Sequence, residues 1–578
     1  MATLTATRHS TISPWRSTAQ RGVVLGLVVL FIALVGLVGA FAKKDLVYEV
    51  ISVGQFLLLI SGFIGGYITG QRSEHLGIAA RVLHGTMVAV ISGVIVALFL
   101  LLATTVDFRD ILVNSNRDLF AVLQFKQEAP LSGAIVLVVV FAVTGLAGSL
   151  LSLPPQRWRA PIMTGLLVVL LIGLLADLLD VLLVSGPFKP LAEFLFPRKG
   201  ISVPGALALF VVSAIVSTIW PFFGQVTTPA RKWINSPGRK PVKFTLIVAV
   251  LVPLIIVLPW VLQLYLSDVM TNVGIYILMG LGLNIVVGFA GLLDLGYVAF
   301  FAIGAYVMGL LTSPDSSLAL SLTFWEALPI SMVVAGTFGV LLGIPVLRMR
   351  GDYLAIVTLG FGEIIRILAT SEVLLPVIGG PQGILGIPKP ALFGLVFKDA
   401  QYIFYIVVVC ALIALYVSWR LSDSRIGRAW VAIREDEDVA EAMGINLVSY
   451  KLLAFAIGAT FSGMAGGIFA AKLGSIFPHS FNLLISINVL SLIIVGGMGS
   501  LPGVFIGALV LVGLPELLRE FAEYRLLMYG AALVGMMLIK PEGFVPAQQR
   551  KRELAQEDVF PEELEEISAP AVAEEVAS

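Results

Sequence analysis

Long apolar runs constrain this chain more than any other feature of its sequence. About sixteen segments of the 578 residues approach the roughly 20 apolar residues that a helix needs to cross a bilayer. The composition is 58% hydrophobic and only 13% charged, whereas a soluble domain carries about 25% charged residues. The sequence therefore predicts an all-α polytopic membrane protein with about sixteen transmembrane helices, some short or interrupted by glycine. A water-soluble fold is excluded.

The predicted spans follow the apolar runs from one end of the chain to the other. They are residues 22–42, 49–70, 82–105, 131–153, 162–185, 203–224, 244–266, 273–291, 296–313, 326–347, 353–371, 401–419, 450–472, 484–497, 503–518 and 526–540. The first run ends in Ala40-Phe41-Ala42, which resembles a signal-peptide cleavage site, but it exceeds the about 7–15 residues of a signal core. We expect an uncleaved first span.

The distribution of positive charge predicts the orientation. With an even number of spans both termini lie on one side, and Lys and Arg are more numerous in the loops and tails assigned to the cytoplasm. The basic segment 227–243 predicts a cytoplasmic linker between an N-terminal membrane unit, residues 1–243, and a second membrane domain, residues 244–548. The acidic tail, residues 549–578, has too few apolar residues to fold alone. We expect it to be disordered in the cytoplasm.

Several classes of function find no support in the sequence. Equal numbers of basic and acidic residues, 37 each, give no hint of a nucleic-acid partner. A single cysteine, Cys410, allows neither an intrachain disulfide nor a cysteine metal cluster. The chain also lacks a G-x-x-x-x-G-K-[ST] phosphate loop. We expect no catalytic site, metal or cofactor in this chain, and an energy source on another subunit or in an ion gradient.

Glycines are scattered through the membrane-depth segment 280–306, with Asn284, Gly288 and Gly291 among its small or polar residues. Small residues let helices approach closely or break, and freed backbone groups at this depth need a protein partner or a water-filled cavity. The segment predicts either a translocation pathway or a tight helix crossing. Asn284 favours the pathway slightly more, because a polar side chain within a span must find a partner.

Charged residues within predicted spans are the next candidates. Glu363 and Arg366 lie three positions apart, on one face of a helix. Because charges within a bilayer are costly, this pair predicts either a functional site facing the bundle interior or an ion pair that joins two helices. Asp177 and Asp180 have the same spacing near the outer end of the fifth predicted span. They are candidates for ion coupling or for water-exposed carboxylates.

A long polar insert, residues 425–446, separates two predicted spans on the cytoplasmic side. Acidic residues at 435–438 favour a helix N-terminus, Ala440 and Ala442 favour its body, and Gly444 suits the position after its end. Val439 and Met443 give this predicted surface helix a small apolar face, which favours docking into the groove of a partner.

Several long motifs recur in this chain in the order typical of one family. They are Gly282–Gly288, Gly351–Ile364, Gly427–Trp430, Arg434–Glu437, Gly496–Ser500 and Leu514–Arg519. From about residue 245 to 548 the chain closely resembles the LivM-type permeases of branched-chain amino acid ABC importers. The resemblance does not cover the first 243 residues. Gln382 stands where we would expect Asn in the family.

The resemblance implies a site for an ATPase and a central pathway. The implied ATPase coupling loop contains Gly427, Arg428, Arg434, Glu435, Asp436, Glu441 and Gly444. The candidate translocation pathway contains Asn284, Gly288, Gly291, Glu363, Arg366, Gly496 and Gly497.

The resemblance also implies a function and an assembly. It implies import of branched-chain amino acids, or of small polar solutes such as urea or amides, with ATP hydrolysed by partner subunits. The expected partners are cytoplasmic ABC ATPases, a second LivH-type permease, a periplasmic or lipid-anchored solute-binding protein and the lipid of a bacterial inner membrane. An ion-coupled secondary carrier is the alternative, with a purely structural membrane scaffold as a third class.

Overall fold

The structure is a computed structural model that describes residues 14–546 apart from short gaps. The gaps are residues 49, 75–76, 107, 109–111, 113, 126, 128, 185–188, 198–199, 236–239, 319, 347–348, 350, 518–529, 531–533, 536–537, 539 and 541–542. The acidic tail predicted at 549–578 and most of the last predicted span, 526–540, lie outside the described residues.

The packing of its residues divides the chain into two compact units, Met1–Ile247 and Val248–Ser578. The helices of the first unit are α1 Pro14–Leu34, α2 Leu37–Ala40, α3 Val53–Arg72, α4 Ile78–Thr105, α5 Arg117–Leu123, α6 Pro130–Leu151, α7 Gln156–Leu174, α8 Ala176–Val184, α9 Lys189–Leu195 and α10 Val203–Asn235. A short antiparallel pair, β1 Asp45–Val47 and β2 Ile51–Ser52, precedes α3.

Helices α1, α3, α4 and α6 of the first unit pack against one another through glycines. A Cβ atom on Gly66 would lie 2.3 Å from the carbonyl oxygen of Gly145, and one on Gly148 would lie 2.1 Å from that of Phe63. Backbones that approach this closely are typical of membrane helix pairs, in which packing and weak polar contacts replace the hydrophobic effect. Leu58, Leu137 and Phe141 are fully buried in the same bundle.

The second unit contains the remaining helices. They are α11 Lys240–Leu283, which begins before the division, α12 Val298–Thr312, α13 Phe324–Val346, α14 Asp352–Thr370, α15 Leu375–Ile378, α16 Ala400–Ser422, α17 Arg425–Glu435, α18 Glu437–Ala442, α19 Leu447–Leu473, α20 Leu483–Gly496, α21 Leu501–Ala508 and α22 Leu514–Leu517. Two π-helical segments, Asn284–Phe289 and Leu509–Gly513, extend α11 and α21. The strands β3 Ala391–Leu392 and β4 Leu395–Val396 form a hairpin before α16.

Helices α12, α13 and α19 form the centre of the second unit. A Cβ atom on Gly304 of α12 would lie 2.2 Å from the carbonyl oxygen of Gly463 in α19, so these two backbones are in direct contact. Phe300, Phe455 and Ala459 are among the buried residues of the surrounding apolar core.

Eleven of the described helices are long and apolar enough to cross a membrane, and three shorter apolar helices accompany them. The all-α polytopic fold is therefore confirmed, while the count of sixteen spans stays a prediction. Three boundaries differ from those expected. The first helix is Pro14–Leu34, whereas the first predicted span is 22–42. The helix ends early because Gly36, with a φ of 97°, interrupts the apolar run.

The fifth predicted span, 162–185, is divided between α7, which ends at Leu174, and the short α8. The spans predicted at 244–266 and 273–291 lie on α11, in which two helices meet at a kink, and on its π-helical extension. Gln263, with φ 60° and ψ −169°, interrupts that helix without a separating loop. Apolar runs alone do not indicate whether such a break contains a polar turn.

Candidate functional site

The polar insert between α16 and α19 folds into two short helices whose starts are capped by side chains. The Ser424 hydroxyl accepts hydrogen bonds from backbone N–H groups at the start of α17. Asp436 accepts bonds from Asp438 N and Val439 N at the start of α18, over 2.9 and 3.0 Å. These caps satisfy backbone donors that a helix N-terminus leaves unpaired. The surface helix predicted after residue 435 is therefore present as α18.

Both short helices are anchored to α19 by buried groups. The indole Nε1 of Trp430, whose ring is fully buried, donates a 2.8 Å hydrogen bond to the carbonyl oxygen of Tyr450. Lys451 is only 4% exposed and its Nζ lies 2.6 Å from Oε1 of Glu437 in α18. Because an indole N–H and an ammonium group need partners when buried, these contacts fix the orientation of the insert.

The outer face of α18 is apolar and has no covering partner among the described residues. Val439 is 58% exposed and Met443, one turn later, is 79% exposed, whereas Ala440 faces inward and is buried. Glu441 and Gly444 are also exposed, and Gly444 ends the helix with a φ of 86°. Val439 and Met443, four residues apart, therefore form one exposed apolar face, while the carboxylate of Glu441 lies on another side of the helix.

The remaining predicted coupling residues lie on or next to α17. A Cβ atom on Gly427 would lie 2.4 Å from the carbonyl oxygens of Leu421 and Ser422, so only glycine allows α17 to follow α16 this closely. Arg428 is exposed and donates to the carbonyl oxygen of Asp423. Glu435 is exposed and accepts hydrogen bonds from Arg434.

The π-helical segment that follows α11 contains the predicted pathway residues Asn284 and Gly288. Oδ1 of the fully buried Asn284 accepts a 2.9 Å hydrogen bond from Gly499 N. A Cβ atom on Gly288 would lie 2.1 Å from that same Oδ1. Such π-helical turns pair backbone groups five residues apart, as Ala290 N does with the carbonyl oxygen of Ile285, and occur frequently at functional sites.

Arg434 joins the polar insert to this segment. Its Nη1 donates a 2.9 Å hydrogen bond to the carbonyl oxygen of Gly288. Its side chain also packs on Gly291, where φ is 72° and a Cβ atom would lie 2.6 Å from Arg434 Cγ. Two sets of residues that the sequence assigned to different roles, coupling and pathway, therefore meet at one contact.

The predicted glycines 496 and 497 lie where α20 ends. A Cβ atom on Gly496 would lie 2.1 Å from the carbonyl oxygen of Gly503, and Gly497 has a φ of 115°. The next turn carries Gly499, which donates to Asn284, and Ser500, which caps α21. The structure therefore brings Gly496 and Gly497 into the neighbourhood of Asn284 and Gly288.

Glu363 and Arg366 form the ion pair expected on α14, but they are distant in sequence from every other site residue. The Arg366 guanidinium donates to Oε2 of Glu363 through Nε and Nη2, each over 2.8 Å. Their side chains are 35% and 41% exposed. Both partners lie on α14 and are partly exposed, so among the described residues this ion pair links no second helix.

The two aspartates considered for ion coupling lie on α8. Oδ2 of Asp177 forms a 2.9 Å ion pair with Nζ of Lys44. Asp180 lies one turn further along the same helix and is partly buried. The described residues contain no group of three or more His, Cys, Asp or Glu that could hold a metal ion.

Asp294 is a buried carboxylate that the sequence analysis did not select. It lies in the turn between the π-helical segment and α12, is fully buried, and its Oδ1 accepts a 2.9 Å hydrogen bond from Gly296 N. Its other oxygen, Oδ2, is buried and has no hydrogen-bond partner among the described residues. Thr358 of α14 binds the same turn through a 3.0 Å bond from Leu295 N. Its position in the same glycine-rich segment as Asn284 was the available signal.

The helices and their contacts define a class of protein. The chain is a multi-pass membrane protein whose second unit joins a broken, glycine-rich span to an anchored polar insert, an arrangement suited to a transport permease. A family described as "Branched-chain amino acid transport system / permease component" matches residues 265–539. The chain belongs to the family of branched-chain amino acid permeases, and its role is that of a transport subunit.

Proteins from three organisms are similar to this chain over part of its length. The permease protein LivM of Escherichia coli K12 is 40% identical over 372 residues, which cover 58% of this chain and 85% of that protein. LivH of Salmonella typhimurium is 27% identical and covers 47% of this chain and 91% of that protein. A probable LivM of Methanocaldococcus jannaschii is 22% identical and also covers 47% of this chain and 91% of that protein. No solved structure matches the chain.

Proposed function

We propose that this chain is the permease subunit of an ABC importer that brings branched-chain amino acids into the cell across the inner membrane. Similarity to LivM and LivH, both named as high-affinity branched-chain amino acid permeases, supports the solute. The bond between Arg434 and Gly288 is the observation that supports the mechanism. Both termini lie in the cytoplasm in this proposal, as the positive-inside rule predicts.

A separate cytoplasmic ATPase supplies the energy by docking on α18. Val439 and Met443 enter a groove of the ATPase, while Glu441 contacts its rim. Because α17 is anchored through Trp430 and ends at Arg434, a displacement of the insert moves the carbonyl group of Gly288. ATP is bound and hydrolysed by the partner, and this chain holds no cofactor of its own.

The pathway runs beside the π-helical segment and the glycine turn after α20. Asn284 Nδ2 is buried and has no hydrogen-bond partner among the described residues, so it is available to a passing solute or water. The face of α14 that carries Glu363 and Arg366 meets a second, LivH-type permease. That interface would remove the half-exposed ion pair from lipid, where charge is costly.

A solute-binding protein, periplasmic or lipid-anchored, delivers the amino acid on the outer side. The contacts of Asp177 with Lys44 give that carboxylate a structural role, which weakens the main support for an ion-coupled carrier. The carrier remains the second candidate. It differs from the importer in requiring no ATPase, so a binding experiment separates the two.

The test combines co-purification with uptake. The full-length chain from its native membrane should retain an ATPase subunit, and the double variant Val439→Asp, Met443→Asp should lose it. Phe393→Asp is the matched control. Phe393 is 97% exposed but precedes α16, whereas the insert follows α16, so the two positions lie at opposite ends of one span. Retention of the ATPase by the double variant contradicts the proposed docking site.

Reconstituted vesicles test the energy source and the solute. Uptake of labelled leucine should depend on ATP, the ATPase and the binding protein, and unlabelled leucine should compete better than urea or acetamide. Uptake that follows a proton gradient without ATP, and that Asp177→Asn with Asp180→Asn abolishes, would establish the carrier instead. Absence of leucine uptake would contradict the assigned solute.

A further inference from the structure

A groove between α1 and α3 in the first unit joins positive charge to an apolar wall. Its volume is about 550 Å³, within the about 300–1,000 Å³ typical of ligand sites. Arg21 and Arg72 line it together with ten residues that are all uncharged. We propose that this groove binds one anionic phospholipid, with the phosphate on the two arginines and an acyl chain along the apolar wall.

The polar and apolar residues of the groove are separated along its length. Arg21 lies in the second turn of α1, with Gln20 beside it, and Arg72 is the last residue of α3. Arg21 is near the start of its helix and Arg72 is at the end of its helix, yet both line the same groove. The two helices therefore run antiparallel there. Val28 and Ile64, further from these ends, continue the groove as an apolar wall.

The groove has an open side, although α4 also contributes one lining residue, Val88. A Cβ atom on Gly22 or Gly26 would lie within 2.8 Å of side-chain atoms of α4, so that face of α1 is covered by protein. The groove-lining residues Val24 and Ile68 are 61% and 43% exposed. In a membrane-spanning bundle such apolar exposure faces lipid tails, which places the open side of the groove against the bilayer.

The two guanidinium groups are available to bind an anion. Neither Arg21 nor Arg72 forms an ion pair with any residue that the structure describes, and no carboxylate lines the groove. The nearby Glu74 lies 3.8 Å from Arg81 instead. Guanidinium groups bind phosphate oxygens in pairs of parallel hydrogen bonds, and basic pockets between membrane helices bind anionic head groups. A phospholipid supplies the phosphate and the apolar chain together, whereas a free anion would leave the apolar wall unfilled.

Lipid binding can be measured on the delipidated full-length chain in detergent by native mass spectrometry. Phosphatidylglycerol is titrated against phosphatidylcholine with the same acyl chains. The wild type should bind one phosphatidylglycerol at least about tenfold more tightly than phosphatidylcholine. The double variant Arg21→Gln, Arg72→Gln should lose this preference, whereas Arg21→Lys, Arg72→Lys should keep part of it because lysine also binds phosphate.

A charge-matched control is available on the same helix. Arg16 is exposed on α1 but does not line the groove, so Arg16→Gln should leave the preference unchanged. Ile68→Trp should fill the apolar part and weaken binding of both lipids. Size-exclusion profiles equal to that of wild type confirm that the variants are folded. If the double glutamine variant is not folded, the double lysine variant is compared with wild type instead.

Three results would overturn the proposal. The first is an unchanged preference in the glutamine pair, and the second is an equal loss in Arg16→Gln, which would indicate a nonspecific charge effect. The third is displacement of phosphatidylglycerol by inorganic phosphate at the same concentration, which would identify a site for free anions.

Discussion

Arg434 Nη1 donates a hydrogen bond to the carbonyl oxygen of Gly288 over 2.9 Å, and the two residues are 146 positions apart in the chain. This bond ends a path that begins at the exposed apolar pair of α18 and continues through the anchored helix α17. It reaches a π-helical turn, a form of backbone that occurs frequently at functional sites. The contact is therefore suited to carry a displacement from the surface into the bundle.

Arg434→Gln should reduce ATP-driven uptake by about tenfold or more while the ATPase still co-purifies. A hydrogen bond to a charged donor contributes about 1.5–3 kcal/mol, and about 1.4 kcal/mol corresponds to a factor of ten. Arg425→Gln is the control, because Arg425 is exposed at the start of the same helix. Equal uptake by Arg434→Gln and wild type would show that this bond has no role in coupling.

Gly291→Ala should impair transport more than Gly394→Ala. Both glycines have a positive φ, 72° and 85°, so alanine strains the backbone at either position. Only at Gly291 does the new Cβ atom also collide with Arg434, whereas nothing lies within 4 Å at Gly394. The difference in leucine uptake between the two variants therefore measures displacement of Arg434, and equal losses would assign the effect to backbone strain alone.

The sequence was sufficient to predict the class of fold and the nature of the polar insert. Both depend on local signals, namely apolar runs of spanning length and the acidic, alanine and glycine pattern that produces α18. The family resemblance supplied the function. The predicted roles of the individual residues, including Arg434 and Asn284, stay predictions.

Long-range contacts were not predictable from local patterns. The bond from Arg434 to Gly288 depends on the packing of helices that are far apart in sequence, as does the bond from Gly499 to Asn284. The exposure of the Glu363 and Arg366 pair also depends on which face of α14 packs inward. The break at Gln263 was hidden because it lies within an apolar segment and contains neither glycine nor a charged residue.

Gly304→Ala should destabilise the second unit, whereas Gly360→Ala should not. A Cβ atom on Gly304 would lie 2.2 Å from the carbonyl oxygen and 2.5 Å from Cα of Gly463, so α12 and α19 must move apart. Overpacking of this kind costs about 1–3 kcal/mol. At Gly360, within helix α14, an added Cβ atom would have nothing within 4 Å. Gly360→Ala therefore controls for the replacement of a helical glycine by alanine. Thermal unfolding in detergent measures the difference, and equal midpoints would contradict direct contact between these backbones.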